Sequence, residues 1–510
     1  MKKQETRNNN QTISNHQYSI IERFEYFKIE ICNLFVSCIL YLGYFTTSKC
    51  KLSFRNKKGS YLPVILLASV LFLAFSTAII TLSMSNVKIA NLHNSKITSM
   101  SIAEAGINYY LWHLSHNNQD YCDGQASCDS NTSFKHDYTD QSGKVLGTYE
   151  LFITPPSAGQ SSIAVKSIGK VNGKSPTRTI ITTIGMPSFS KYTLLVNGTQ
   201  LWVGPNEKID GSVHVNGSGI YSQGIVTGNA SSTEQNYQSW NWGTQPGVSG
   251  PNPLTDHYKG TISYPVPRVD FTQLDVDIRS IRDEAKSGKG DYYDNAPSGS
   301  VGYHIVLKTD NTYDLYRVKS FDNAGLDITK ETLLGNHIYP SSGVIFLEDD
   351  TWVNGTINGQ KITIVAADPE ENGSKQKRII IPNPIKYMKY DGTDKIGLIT
   401  QTNITVSHNA DTNMEIDAAM IAKNGYISIC PEIEKSNNCP AHPKGYVRNK
   451  IKVYGSMAHN TGLVWTVNWG GGVQSGYKAT ETVMDSFNVL DPPPKFPLTG
   501  TYVILSWREE

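Results

Sequence analysis

Hydrophobic positions fall into three patterns along the chain. From Ser60 to Val87 no residue carries a charge, a run longer than the roughly 20 residues that span a bilayer as a helix. From Lys88 onward the same helical pattern turns amphipathic. Met100, Ala103, Ile107, Leu111 and Leu114 recur at three- and four-residue spacing and give one apolar face, which ends near Leu114. Beyond it, Gly147–Ile153, Ser162–Ile168 and Thr177–Ile184 alternate and are rich in β-branched residues, which predicts three strands against which the apolar face can pack.

After Pro187 the strands shorten and turn residues multiply. Val213–Val215, Ile225–Val226, Thr351–Ile357, Ile362–Ile364, Ile379–Ile381, Ile396–Leu398 and Ile404–Val406 are separated by glycine, asparagine and aspartate. Such a texture predicts a parallel β-helix, or β-solenoid, in which Ile-x-Ile and Ile-x-Val pairs stack as one inward-facing column. A β-sandwich is the competing arrangement, but its strands are usually longer. Asp270–Lys286 reads as a helix and Tyr303–Val318 as a hairpin turning at Asp310-Asn311, so this stretch reads as an insertion. Phe496 and Trp507, around the proline run 492–494, are expected to plug the open end of the array and cover its edge strands.

Length and charge narrow the picture. A chain of 510 residues exceeds one ordinary core, and a net charge of +1 with no long basic run beyond the first segment gives no case for nucleic-acid binding. Lys49, Lys51, Arg55, Lys57 and Lys58 precede the apolar run without an intervening acid. The positive-inside rule holds that side in the cytoplasm and exports the rest across the bacterial cytoplasmic membrane in a single pass. In the exported part, Cys122 with Cys128 and Cys430 with Cys439 bracket short polar loops, and an oxidising compartment favours two local disulfides. Zinc is the alternative, although neither pair has the Cys-x-x-Cys spacing of common structural sites. Ile31–Phe45, with Cys32 and Cys38, is a second apolar run that is short for a span. It makes a first membrane segment, or else translation starts near Leu52; the second reading leaves an ordinary short leader ending at Gly59.

The basic leader, Gly59, the apolar helix and Ile102-Ala103-Glu104-Ala105-Gly106-Ile107 together resemble the PilX-like N-terminal region of type IV pilus assembly proteins, the minor pilins, over roughly residues 52 to 115. The resemblance implies cleavage by prepilin peptidase between Gly59 and Ser60, packing of the apolar helix among other pilins, and docking of helix to head through Ala103, Glu104, Ala105 and Gly106. It implies a small α+β pilin-like head ahead of the solenoid body. Segments 453–458 and 476–477, and the proline run 492–497 with Trp507, resemble the C-terminal part of long members of the same group. One departure stands out: the fifth residue after Gly59 is Val64, where most pilins carry a glutamate. That points to a low-copy initiating or tip subunit, or to an anchored protein that is never assembled. The expected organisation is a leader over 1–59, membrane and amphipathic helix over 60–117, head over 118–187, solenoid over 188–268, insertion over 269–335, and solenoid with a C-terminal cap over 336–510.

No P-loop, Gly-x-Ser-x-Gly elbow or His-Glu-x-x-His occurs. Asp349, Asp350 and Asp368 are the nearest approach to a carboxylate cluster of a polysaccharide-acting β-helix, but they sit at turns, where aspartate serves backbone geometry. No enzymatic activity, cofactor or metal is expected. Binding is the stronger rival to a purely structural role: Trp240 and Trp242, and Trp465 and Trp469, form two aromatic clusters that suit a surface glycan or protein partner, with core packing as the alternative for both. A structural component of a type IV pilus or related secretion filament is the leading reading. A membrane-anchored adhesin that is not assembled is the alternative, and a β-helix enzyme the more distant one.

Overall fold

The computed structural model describes residues 62–156, 162–239, 243–322, 326–370, 376–429, 447–469 and 472–510. The protein is mostly β with one long helix, α1 (Leu62–His116). Compact units divide within α1, at Val87 and Lys88. Pro63 lies in the first turn, where its missing N–H costs nothing, and no glycine interrupts the helix until Gly106. Over Leu62–Val87 the apolar side chains are exposed, and this stretch is long and apolar enough to cross a membrane. At 1.5 Å per residue it is about 39 Å long, against about 30 Å of hydrocarbon. Three of its six hydroxyls bond back within the helix: Ser69 donates to the Leu66 carbonyl (2.9 Å), Thr77 to Leu73 (3.0 Å) and Thr81 to Thr77 (2.9 Å).

From Ser95 the helix buries one face, comprising Ser95, Ser99, Ile102, Ala103, Gly106, Ile107, Tyr110 and Leu114. It packs on an antiparallel sheet of β1 (Ser133–Thr139), β2 (Val145–Thr154), β3 (Ser162–Val171) and β4 (Arg178–Gly185). Inward residues alternate as a half-buried sheet requires: Tyr149, Leu151 and Ile153 on β2, Ile163 and Val165 on β3, Ile180 and Ile184 on β4 share one core with α1. Three of these strands fall where the alternation predicts them, and β1 is additional. The C-terminal strand Val503–Glu509 adds antiparallel to β4, with Trp507 opposite Thr182 and 47% exposed. Trp507 therefore closes the edge of the head and does not plug the array, because β4 offers an unpaired ladder that the C-terminal strand satisfies. The head is consequently discontinuous in sequence.

The remainder is built on parallel ladders. One runs through Val344–Leu347, Lys361–Ala366, Lys395–Thr400, Asn413–Ala422 and Val447–His459, then continues onto Leu194–Asn197, Val213–Asn216 and Ala230–Ser232. Strands from the second half of the chain thus stack directly on the first strand after the head, which joins both halves of the array. A second ladder carries Thr351–Ile357, Ile379–Ile381, Ile404–Val406, Tyr426–Ser428 and Gly462–Val464. The isoleucine pairs stack in register, but in two columns and not one: Ile362 and Ile364 on Ile396 and Leu398, Ile379 and Ile381 on Ile404 and Val406. The predicted insertion is largely absorbed, since Asp291–Tyr293 and Gly302–Leu307 pair parallel with Val344–Leu347 and Thr351–Ile357. What projects is the hairpin of Thr312–Phe321 and Ile328–Ile338. The first ladder is apolar on both faces because helix α2 (Gln273–Lys286) covers its outer side. Leu274, Ile278, Ile281 and Ala285 meet Leu195, Phe346, Val365, Ile399 and Ile421, with Phe496 in the same layer.

Candidate functional site

The seat of α1 on the head is the best-defined of the predicted features within the described residues. Ala103 and Gly106 are buried at the contact, Ala105 is partly buried and Glu104 is exposed. A Cβ on Gly106 would stand 2.5 Å from Ser167 Oγ and 2.9 Å from the Tyr149 ring, so this helix position admits only glycine without displacement. Glycine inside a helix costs about 1 kcal/mol relative to alanine, a cost the close approach accounts for. The strands answer with glycines of their own. At Gly169 a Cβ would lie 2.1 Å from the Ser99 carbonyl oxygen and 2.4 Å from the Ala103 nitrogen; at Gly147 it would lie 2.6 Å from Ile102 Cδ1. Across this contact Ser167 Oγ donates to the Ala103 carbonyl (2.8 Å), and Ser99 Oγ donates to the Pro176 carbonyl (2.9 Å). Ser99, Gly147, Ser167 and Gly169 were not singled out from sequence; glycines at inward positions of alternating strands are the signal that marks them.

Below the contact, the end of α1 is tied to the loop that follows. Cys122 and Cys128 form a disulfide with a Cα–Cα distance of 5.5 Å. Asp123, at the base of that loop, accepts from the Tyr109 hydroxyl (3.0 Å) and lies 2.6 Å from His136 Nε2 and 3.9 Å from His113 Nδ1. Asp120 accepts from the N–H of Cys122 (3.2 Å) and of Gly124 (2.9 Å). Burial, with Asp123 adding to it, pushes the Tyr109 phenol up to about 12, so it stays a hydrogen-bond donor. Tyr110 donates to the Tyr121 carbonyl (2.8 Å) and Tyr502, from the C-terminal segment, to Asn118 (2.9 Å). Helix end, loop, first strand and chain terminus are thereby fastened together.

The other predicted residues separate. Gly59 and Ser60, Trp240 and Trp242, and Cys430 and Cys439 lie outside the described residues. Trp465 is 3% exposed and packs in the core of the array, so it is not part of an aromatic surface: the indole fills space between ladders, where its area is worth more buried. Trp469 ends strand Thr466–Trp469. The turn aspartates each hold neighbouring backbone or a cation. Asp349 pairs with Lys377 (3.4 Å) and accepts from the Ala296 N–H (3.0 Å). Asp350 pairs with Arg378 (2.8 Å) while burial lifts its carboxyl above the usual range. Asp368 accepts from Asn295 Nδ2 (3.2 Å).

No protein-family model matches the chain, and no curated protein sequence matches it. Among solved structures, the competence-associated pilin ComZ from Thermus thermophilus aligns at a TM-score of 0.29 and 11% identity, over 82% of this chain and 97% of that one.

Proposed function

We propose that this protein is a pilin-like structural component of a type IV pilus or related filament. It is anchored in the cytoplasmic membrane by α1, with the head and the ladder-built body outside. The observation that carries the reading is the single unbroken helix Leu62–His116, which is bare and apolar over its first half and seated by its second half on a glycine-relieved antiparallel sheet. A helix of this kind serves two solvents: lipid or neighbouring helices for the first half, a folded head for the second. We read the parallel ladders as a β-helix displayed beyond the head, and the role as assembly or display with no catalytic step. Prepilin peptidase and other pilins are the partners this reading requires.

Mass spectrometry of the N-terminal peptide from membrane-extracted protein tests it. A mature chain beginning at Ser60 is expected, and Gly59→Asp is expected to leave the precursor uncut, because the peptidase site would then carry a charged side chain. Normal processing of that variant, or an uncut wild-type chain, overturns the pilin reading. An uncut wild-type chain favours the membrane-anchored adhesin. One structural observation supports that alternative: strand Ile328–Ile338 pairs only with Thr312–Phe321 among the described residues and exposes Leu333, Leu334 and Ile338, an edge suited to strand addition by a protein partner.

A further inference from the structure

Two loops some eighty residues apart in sequence converge where the projecting hairpin returns to the array. Asp322 and Asp327 lie in the connection between Thr312–Phe321 and Ile328–Ile338, and His408 follows strand Ile404–Val406. A carboxylate oxygen from each aspartate and a ring nitrogen of His408 all lie within 4.8 Å of one another. Local hydrogen bonds hold the acids in place. Asp322 Oδ1 accepts from the N–H of Leu326 (2.8 Å) and of Asp327 (3.0 Å), and Asp327 Oδ1 accepts from the Ser407 hydroxyl and the Asn409 N–H (3.3 Å). Among the described residues, these bonds engage Oδ1 of each acid and not Oδ2.

Among the described residues, no lysine or arginine pairs with these two acids. Two carboxylates this close disfavour each other unless a cation lies between or beside them. Arg448 is the nearby permanent cation, but its guanidinium sits 5.5 Å over the Tyr477 ring and its Nη2 donates to the Ser407 carbonyl (3.3 Å).

We propose that Asp322, Asp327 and His408 form a three-point site for a divalent first-row cation of the zinc class, which fastens the hairpin to the array. One imidazole nitrogen with two carboxylate oxygens is a borderline donor set, and three protein ligands leave a fourth tetrahedral position for water. Zinc bonds of about 2.0–2.2 Å bring ligand atoms to roughly 3.5 Å from each other, a closure that side-chain rotation supplies. Calcium, which takes 6–8 oxygens, is poorly served by three ligands of which one is nitrogen. The hairpin meets the array through its pairing with Gly302–Leu307, the contact of His304 with Glu331 (2.8 Å), the Trp352 Nε1 bond to the Leu326 carbonyl (2.7 Å) and the Ser407 and Asn409 bonds to Asp327, and a metal joining its connection to the loop after Val406 adds a further restraint there.

The test uses the full chain in detergent, stripped by chelator and titrated with zinc ion alone by calorimetry, with backbone hydrogen exchange of residues 312–338 read in parallel. Wild type is expected to take up one equivalent more than His408→Ala and one more than Asp322→Asn. Zinc at about a hundred times its Kd is expected to slow hairpin opening by about a hundredfold in wild type alone. Zinc held elsewhere, for instance around His113, Asp120, Asp123 and His136, is common to all three chains and cancels. Asp322→Asn keeps an oxygen able to accept the two backbone N–H groups. Its wild-type exchange in the array strands Gly302–Leu307 and Ile379–Ile381 separates ligand loss from misfolding. Equal uptake by wild type and both variants, or no uptake by wild type below about 100 µM, a Kd ceiling equivalent to roughly 5 kcal/mol of binding, overturns the site.

Discussion

Gly169→Ala tests how closely α1 and the head are fitted. The added Cβ would stand 2.1 Å from one helix backbone atom and 2.4 Å from another, and neither can rotate away. Relief requires the helix to lift by about 1 Å or more from β3, since a non-bonded carbon needs over 3 Å. Overpacking of this kind costs about 1–3 kcal/mol. Lifting the helix also stretches the buried Ser167–Ala103 hydrogen bond of 2.8 Å, worth about 1 kcal/mol more. The sum is about 2–4 kcal/mol, which raises the opening equilibrium of the head by about 30-fold to several hundredfold. Because a chain with several folded parts does not unfold in one step, the assay is native-state hydrogen exchange of amides in β2, β3 and residues 99–114 of α1, not a single melting point. Gly462→Ala is the control: a Cβ there meets nothing within 4 Å, and exchange is expected to stay within threefold of wild type. Exchange in Gly169→Ala as slow as in that control would refute the account of the contact as glycine-limited.

Reduction of the Cys122–Cys128 bridge, or Cys128→Ser, is expected to cost about 2 kcal/mol for so short a loop, seen as faster proteolysis within 117–132 while exchange in the array is unchanged. His459 gives a pH signature. It is 0% exposed, aligned in its ladder with Ala422 and Val196, and neither ring nitrogen has a hydrogen-bond partner among the described residues. Burial pushes its imidazole down to about 3, against about 6.5 when unfolded. The folded state therefore refuses a proton that the unfolded state takes up. Its contribution is fully present above about pH 6.5 and is lost as pH falls toward 3, amounting to about 2–3 kcal/mol at pH 4.5. The protection of residues 447–459, taken relative to the intrinsic exchange rate at each pH, should fall less on acidification in His459→Leu than in wild type; parallel slopes would refute the assignment.

The sequence determines every feature whose signal is local. The uncharged run Ser60–Val87, the amphipathic continuation through Leu114 and the alternation of β2 to β4 are set by periodicity along one segment. Charge exclusion from lipid and the period of helix or strand act on neighbours a few residues apart. Stacking of Ile379-x-Ile381 on Ile404-x-Val406 was legible for the same reason. Tertiary structure alone decided what depends on partners far along the chain. Trp507 pairs with β4 and leaves the array because an open ladder edge, over 300 residues earlier, is satisfied by whichever strand reaches it. Trp465 is core and not surface because the ladders close over it, and an indole has the same sequence signature in either place. The seat of α1 was half legible: Ala103 and Gly106 announce a close approach, whereas Gly169 and Ser167, which complete it, acquire meaning only once β3 lies beneath that turn of helix. Asp322, Asp327 and His408 carry no common motif, since hydrogen-bonded register between strands, not spacing in sequence, brings their side chains to one point.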